Sequence, residues 1–167
     1  VDPEDAVVLA VEAAGRGLAM GEMPIGAVVL LGDEVIASAF TSEKAERRRM
    51  VHADLRAMDA ADRRIGFARR DLPLTLAVNL EPCLMCLGAA VTLGIDHVYF
   101  GLWSPDDGGV EAFAHWKPRT ELPFFKPPST IEGGFCETAI REQFAAYAAD
   151  DSHPTGMRQW CAGLAHG

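Results

Sequence analysis

Long apolar runs are missing from this chain. No stretch of its 167 residues approaches the roughly 20 consecutive apolar residues of a membrane-spanning helix. Hydrophobic residues still make up 49% of it, enough for one sizeable core. Cysteine is scarce. Four residues exclude a disulfide scaffold, and two of them form a Cys-x-x-Cys pair, which points to a reducing, cytoplasmic setting. Positive charge is in deficit, with 15 Lys and Arg against 24 Asp and Glu. That balance disfavours a nucleic-acid partner, whose affinity comes largely from Lys and Arg replacing counterions, and favours a small substrate. No repeat, low-complexity tract or second-domain boundary is visible, so residues 1–167 read as a single domain. The opening Val1-Asp2-Pro3-Glu4-Asp5 is acidic and does not read as a secretion signal. It lacks an initiator methionine, which suggests trimming or residues ahead of Val1.

What is present alternates between helical and extended patterns. After Pro3, "EDAVVLAVEAAGRGLAM" predicts a helix stopping near Gly21, with acidic residues in its first turn where they complement the helix dipole. "IGAVVLLGDEVIASAF" is two apolar runs around Gly32-Asp33, a hairpin pattern. "TSEKAERRRM" reads as a polar connection, and "HADLRAMDAADRR" as a helix with Leu55, Met58 and Ala61 at helical spacing. Leu74 to Leu80 predicts a buried strand. Pro82 is placed as the opener of a helix that Gly94 closes. Asp96 to Leu102 predicts another strand, and "CETAIREQFAAYAA" a helix with Ile140, Phe144 and Tyr147 on one stripe. A short last helix is expected after Pro154. The proline-rich segment from Val110 to Gly134 resists assignment. This order predicts a three-layer α/β/α sandwich on a mixed sheet of about five strands, antiparallel at the hairpin and parallel after Leu74.

Chemistry concentrates in two pieces, "VHADLRAM" (Val51 to Met58) and "LEPCLMC" (Leu80 to Cys86). Cys83 and Cys86 stand at i and i+3, one face of a helix, in a first turn where free N–H groups favour thiolate. His52 likewise begins a helix. If both helices start from the same edge of the sheet, His52, Cys83 and Cys86 form a Cys2His site suited to one Zn²⁺ per chain. Three protein ligands leave a position for water, whose pKa zinc lowers to about 7. A nearby carboxylate then moves protons, and Asp54 is the candidate. A closed structural site remains open, with a fourth ligand from His97, His115, Cys136, Cys161 or the C-terminal histidines. So does a redox role for the Cys-x-x-Cys pair.

These pieces resemble the zinc-dependent cytidine-deaminase-like superfamily, in its branch of tRNA adenosine, guanine and cytosine deaminases. The resemblance rests on "GEMPIGAVV" (Gly21 to Val29), "HAD" (His52 to Asp54), "EPCLMCLGAA" (Glu81 to Ala90) and "VYFGLWSPDDGG" (Val98 to Gly109), with a weaker echo around Phe144. It implies a hydrolytic deaminase, commonly a homodimer, with His52, Cys83 and Cys86 on zinc and Asp54 in the proton-shuttle position. The candidate substrate contacts are Pro24, Gly26, Ala27, Thr41, Ala53, Glu81, Pro82, Trp103 and Trp116.

Two departures stand out. Relatives usually carry Glu where this chain has Asp54, which is shorter by one bond of about 1.5 Å. A misplacement near 1 Å costs on the order of 10²-fold in rate. The preferred expectation is that the helix sits closer and restores the reach; a slow enzyme or a differently placed substrate, and an engineered change at this position, are the alternatives. The second departure is "AFT" (Ala39 to Thr41), where relatives have an Asn that hydrogen-bonds the substrate. Thr41 has a hydroxyl but no amide.

Three functions follow. The first is deamination of a small heteroaromatic base or nucleoside, leaning to a purine-like or aminotriazine ring. The second is adenosine-to-inosine editing of tRNA. The third is a catalytically weak homologue that binds a ligand without turnover. Arg47 to Arg49 reads either as a charge-balanced surface or as a phosphate contact. The aromatic segment Glu111 to Pro128 reads as a pocket wall, a satellite core or a dimer contact.

Overall fold

A computed structural model describes residues 1–120 and 122–167; Glu121, inside the proline-rich segment, lies outside the described residues. The elements run α1 (Pro3–Ala19), β1 (Gly26–Leu31), β2 (Glu34–Phe40), α2 (Glu43–Glu46), α3 (Ala53–Ile65), β3 (Leu74–Leu80), α4 (Leu84–Leu93), β4 (His97–Leu102), α5 (Val110–Ala114), β5 (Thr130–Gly133), α6 (Glu137–Ala149) and α7 (Thr155–His166). The sheet order is β2-β1-β3-β4-β5. β1 is antiparallel to both β2 and β3, whereas β3–β4 and β4–β5 are parallel. Among the described residues no helix is long and apolar enough to cross a membrane.

Strand alternation sorts the two faces. Ala27 and Val29 of β1 join Ala53, Ala57, Met58, Ala61, Cys86 and Ala90 on the α3/α4 side. Val28 and Leu30 join Ala6, Val7, Ile140, Phe144 and Tyr147 on the α1/α6/α7 side. The result is the expected three-layer sandwich with a mixed five-stranded sheet. The Asp2 carboxylate caps α1 by accepting the N–H groups of Glu4 (2.9 Å) and Asp5 (3.3 Å), with Pro3 as the first helical residue.

Three local expectations are corrected, and one unassigned segment is resolved. The polar "TSEKAERRRM" connection contains α2, a single turn with its own anchor: the buried Glu22 carboxylate accepts the N–H groups of Lys44 (3.0 Å) and Ala45 (2.8 Å). Pro82 lies outside α4, which starts at Leu84. Its carbonyl instead accepts the Gly109 N–H at 2.9 Å and ties down the following loop. The unassigned Val110–Gly134 segment holds α5 and β5, and β5 supplies the fifth strand by pairing with β4. The last helix is not short: α7 has 12 residues.

Candidate metal centre

β3 delivers the chain through Glu81 and Pro82 to Cys83, the N-cap of α4, and Cys86 follows one turn in. His52 is the N-cap of α3. Both helices pack on the same face of the sheet, so their starts converge. His52 Nδ1 lies 3.7 Å from Cys83 Sγ and 3.9 Å from Cys86 Sγ. Zinc at about 2.3 Å from sulfur and about 2.0 Å from nitrogen in a tetrahedral site sets ligands roughly 3.5–3.8 Å apart, so this donor set fits it. The cluster of mutually close ligand atoms comprises these three residues. The candidate fourth ligands lie outside this cluster: His97 stacks on Tyr99, His115 is the C-cap of α5, Cys136 caps α6 beside Glu4, His153 stacks on Tyr147, Cys161 is buried on α7, and His166 ends α7.

The protonation pattern follows from mutual contact. The Cys86 thiol and the His52 ring hold the Cys83 thiol down to about 4. The hydrogen bond with Cys83 pushes His52 up to about 9 against its burial. Cys86 is the neutral thiol of the set, pushed up by its contact with Cys83 and by burial. Without metal, the three donors thus hold an imidazolium, a thiolate and a thiol.

Asp54, in the first turn of α3, reaches this cluster despite its short side chain. Its Oδ1 accepts the Cys86 S–H at 2.9 Å and the Leu55 N–H at 3.1 Å. The side chain is buried, and desolvation raises its pKa above the ordinary carboxylate range. A metal needs Cys86 as thiolate, which removes the S–H and frees Oδ1 for another proton.

The cluster opens on a cavity of about 290 Å³. Its apolar lining is Met23, Ile25, Val78 and Leu80, joined by Met157 and Trp160 from α7. Glu43, Asp54, Glu81 and Asp107 line it as well, and no lysine or arginine does so among the described residues. Thr41, Ala53 and Glu81 of the expected substrate contacts reach this wall. The Thr41 hydroxyl donates to the Val51 carbonyl (3.3 Å). Glu81 accepts the N–H groups of Ser104 (2.9 Å) and Val110 (3.0 Å), which binds the 103–110 loop to the start of α4.

The structure does not bring the other expected contacts to the cavity. Pro24 and Gly26 are held by Asn79, whose amide donates to the Pro24 carbonyl (2.7 Å) and accepts the Gly26 N–H (2.9 Å). A Cβ on Gly26 would overlap the α1 backbone at Ala14, so glycine is there for close helix–strand approach. Ala27 is fully buried in the core. Pro82 faces the loop it anchors, and Trp103 is exposed with its edge toward Phe100. Trp116 stacks on Phe113 and meets Phe125 edge-on over the outer face of α4, where Phe113 packs on Leu87 and Val91. Phe113 of the aromatic segment thus joins a satellite core with Leu87 and Val91, whereas Trp116, Phe124 and Phe125 are exposed. The tryptophan lining the cavity is Trp160, which sequence patterning did not single out, and Glu43 and Met157 were missed with it.

Several arginines in and around α3 form ion pairs. Arg48 and Arg56 pair with Glu46, Arg63 with Asp59, Arg64 with Glu34 and Arg70 with Asp96. Within the Arg47–Arg49 run the ion pair is that of Arg48 with Glu46.

Residues 2–102 match the family described as the cytidine and deoxycytidylate deaminase zinc-binding region. The chain belongs to this family. The cluster of His52, Cys83 and Cys86, which could hold a zinc ion, lies within the residues matched to this zinc-binding region. A tRNA-specific adenosine deaminase of Bacillus subtilis is 38% identical over 99 residues, covering 59% of this chain and 61% of that protein. The chain thus spans about three fifths of the curated relatives it first matches. A solved tRNA:A34 deaminase, studied for A-to-I editing at the wobble position, superposes with a TM-score of 0.62 at 29% identity, over 77% of this chain and 97% of that one. The guanine deaminase of Nitrosomonas europaea shares the fold, with a TM-score of 0.65 at 19% identity, over 97% of this chain and 86% of that one.

Proposed function

We propose that this chain is a zinc-dependent aminohydrolase that removes an exocyclic amine from a small heteroaromatic base or nucleoside, purine-like or aminotriazine. Residues 1–167 act as one deaminase-like domain. The observation that carries the reading is the convergence of His52, Cys83 and Cys86 beside a buried carboxylate on one wall of a cavity. Zinc on these three residues supplies an acidified water, its pKa lowered from about 15.7 to about 7. Asp54 takes a proton at Oδ1 and returns protons to the ring nitrogen and the departing amine. Its burial suits both directions of transfer, because a raised pKa brings the carboxyl nearer neutrality. The apolar lining of Ile25, Val78, Leu80, Met157 and Trp160 suits a flat ring.

Editing of tRNA is the second reading, supported by the Bacillus subtilis and tRNA:A34 relatives. The paired arginines and the acidic cavity wall weigh against it. The enzyme is expected to be a cytoplasmic homodimer, which light scattering tests for assembly.

Ammonia release by the zinc-loaded chain, measured over free bases, nucleosides, aminotriazines and a tRNA, decides among these readings. The expected result is release from a free base or nucleoside, lost in Asp54→Ala while zinc stays bound. Inosine in the treated tRNA would select editing. No ammonia from any compound, with zinc intact, would leave a ligand-binding homologue.

A further inference from the structure

The four carboxylates on the cavity wall are not equivalent. Glu81 accepts two backbone N–H groups, Asp107 accepts the Ser104 hydroxyl at 2.5 Å, and Asp54 accepts from Leu55 and Cys86. Glu43 accepts no hydrogen bond among the described residues. His52 stands at 3.7 Å from its Oε1 to Nε2, beyond hydrogen-bond length. Its side chain is 27% exposed, so its oxygens are half-withdrawn from water with acceptor capacity unused. Nor is it loosely held. α2 carries it, and Glu22 pins α2 through the N–H groups of Lys44 and Ala45. The ring atom His52 turns to the cysteines is Nδ1, so Glu43 stands on the other side of the same ring, next to the reacting centre.

Resting on the aminohydrolase reading, we propose that Glu43 is a specificity residue that accepts a ring N–H beside the amine-bearing carbon of the substrate. The cavity thereby selects unphosphorylated heterocycles that carry such an N–H. A carboxylate is an acceptor only, and its bonds to N–H groups are about twice as strong as neutral ones. A 2-amino-4-oxo ring of the guanine type has one ring nitrogen beside the reacting carbon to receive a proton from Asp54 and a second that already bears hydrogen. That second N–H satisfies Glu43. Adenine and cytosine have no N–H beside the reacting carbon and leave Glu43 desolvated without a donor. Phosphate fares worse, because the wall holds carboxylates and no Lys or Arg among the described residues. The reaction balances without a co-reactant. The C–NH2 bond breaks, a C–O bond to water forms, and the ring C(NH2)=N plus H2O gives C(=O)–NH plus NH3.

The test compares guanine, guanosine, guanosine 5′-monophosphate, adenine and adenosine on the zinc-loaded chain, with Glu43→Gln alongside. Guanine or guanosine is expected to exceed the adenine compounds by at least about 100-fold in kcat/KM, since sites built to bond a substrate N–H reject analogues lacking it. The monophosphate should fall at least about 10-fold below the nucleoside. Glu43→Gln adds a donor without changing shape. It should raise the KM for guanine compounds about 10-fold with a smaller change in kcat, and narrow the guanine-over-adenine ratio by a similar factor. Zinc should stay at one per chain. An unchanged KM and ratio, or a preference for adenosine or the monophosphate, overturns the assignment while leaving the aminohydrolase reading intact. Loss of zinc in Glu43→Gln also overturns it, making Glu43 a positioning residue for His52. Should no compound release ammonia, calorimetry of guanine binding to the zinc-loaded chain decides. Binding weakened about 10-fold by Glu43→Gln keeps the assignment without the aminohydrolase reading, and absent or unaffected binding removes it.

Discussion

The two sides of the cavity are built in different ways. On the metal side, every reactive group sits at or near a helix start: His52 and Cys83 are N-caps, and Asp54 and Cys86 lie in the first turns of α3 and α4. Two short pieces of chain supply that whole wall. The rest of the lining is assembled from β3, α2, the 103–110 loop and α7, with Glu43, which borders the His52 ring, and Trp160 more than a hundred positions apart in sequence. The first side needs fixed geometry at one point, because a metal tolerates little error in its ligands. The second needs only shape and charge around a ring, which many segments can provide. On the proposed function, reaction type and substrate choice are thus carried by different residues.

The largest effect expected of breaking the metal side is Cys86→Ala. Activity should fall to background and zinc binding should be lost, as read by metal analysis after dialysis. Zinc uptake by the intact apo-chain sharpens the same point. At pH 7 His52, held up to about 9, is protonated, and Cys86 is a thiol, while Cys83, held down to about 4, is already a thiolate. Binding should therefore release about two protons, falling toward about one as pH rises through about 9. Calorimetry in buffers of different ionisation enthalpy measures this, and release near zero at pH 7 would contradict the imidazolium–thiolate–thiol arrangement.

Asp54 comes next. Asp54→Ala should cost about 10²–10⁴-fold in kcat with zinc retained. Asp54→Glu should cost about 10²-fold, because the aspartate already contacts Cys86 at 2.9 Å in a buried position and an added methylene displaces the carboxyl. A faster Asp54→Glu enzyme would mean that the short side chain limits the rate.

In the rest of the lining, Trp160→Ala should raise KM about 10-fold with little change in kcat, and lower stability by about 1–2 kcal/mol from the lost packing on Phe144. An equal fall in kcat and kcat/KM would place Trp160 in the chemistry and erase the distinction between the walls. Trp116→Ala is the control with the smallest effect. It should leave kcat/KM within about twofold and cost about 1 kcal/mol of stability by denaturant unfolding, since its ring meets Phe113 and Phe125 on the outer face of α4.

Much of the fold was legible because its signals are local. β3 runs from Leu74 to Leu80 as its apolar pattern and flanking Pro73 predict, and Gly94 ends α4 in the left-handed conformation. Ile140, Phe144 and Tyr147 form the buried stripe of α6. β5 escaped because four residues in a proline-rich segment carry too short an alternation to register, and only an open edge on β4 makes them a strand. Pro82 was misplaced because a proline suits both a helix start and the residues just before it. Trp116 was preferred to Trp160 because an aromatic cluster in one segment looks like a pocket wall, whereas the satellite core beneath it is a tertiary fact.

By itself the sequence determined the metal donors and the carboxylate beside them, since spacing at a helix start sets which side chains share a face. It also determined the layered fold, through apolar periodicities of two and about 3.6 residues. Only the tertiary structure decided what faces that metal: which of the carboxylates is left without a donor, and which tryptophan lines the cavity. Those are contacts between segments with no fixed spacing along the chain, and they exist only once the sheet has brought the helix starts and α7 to the same edge.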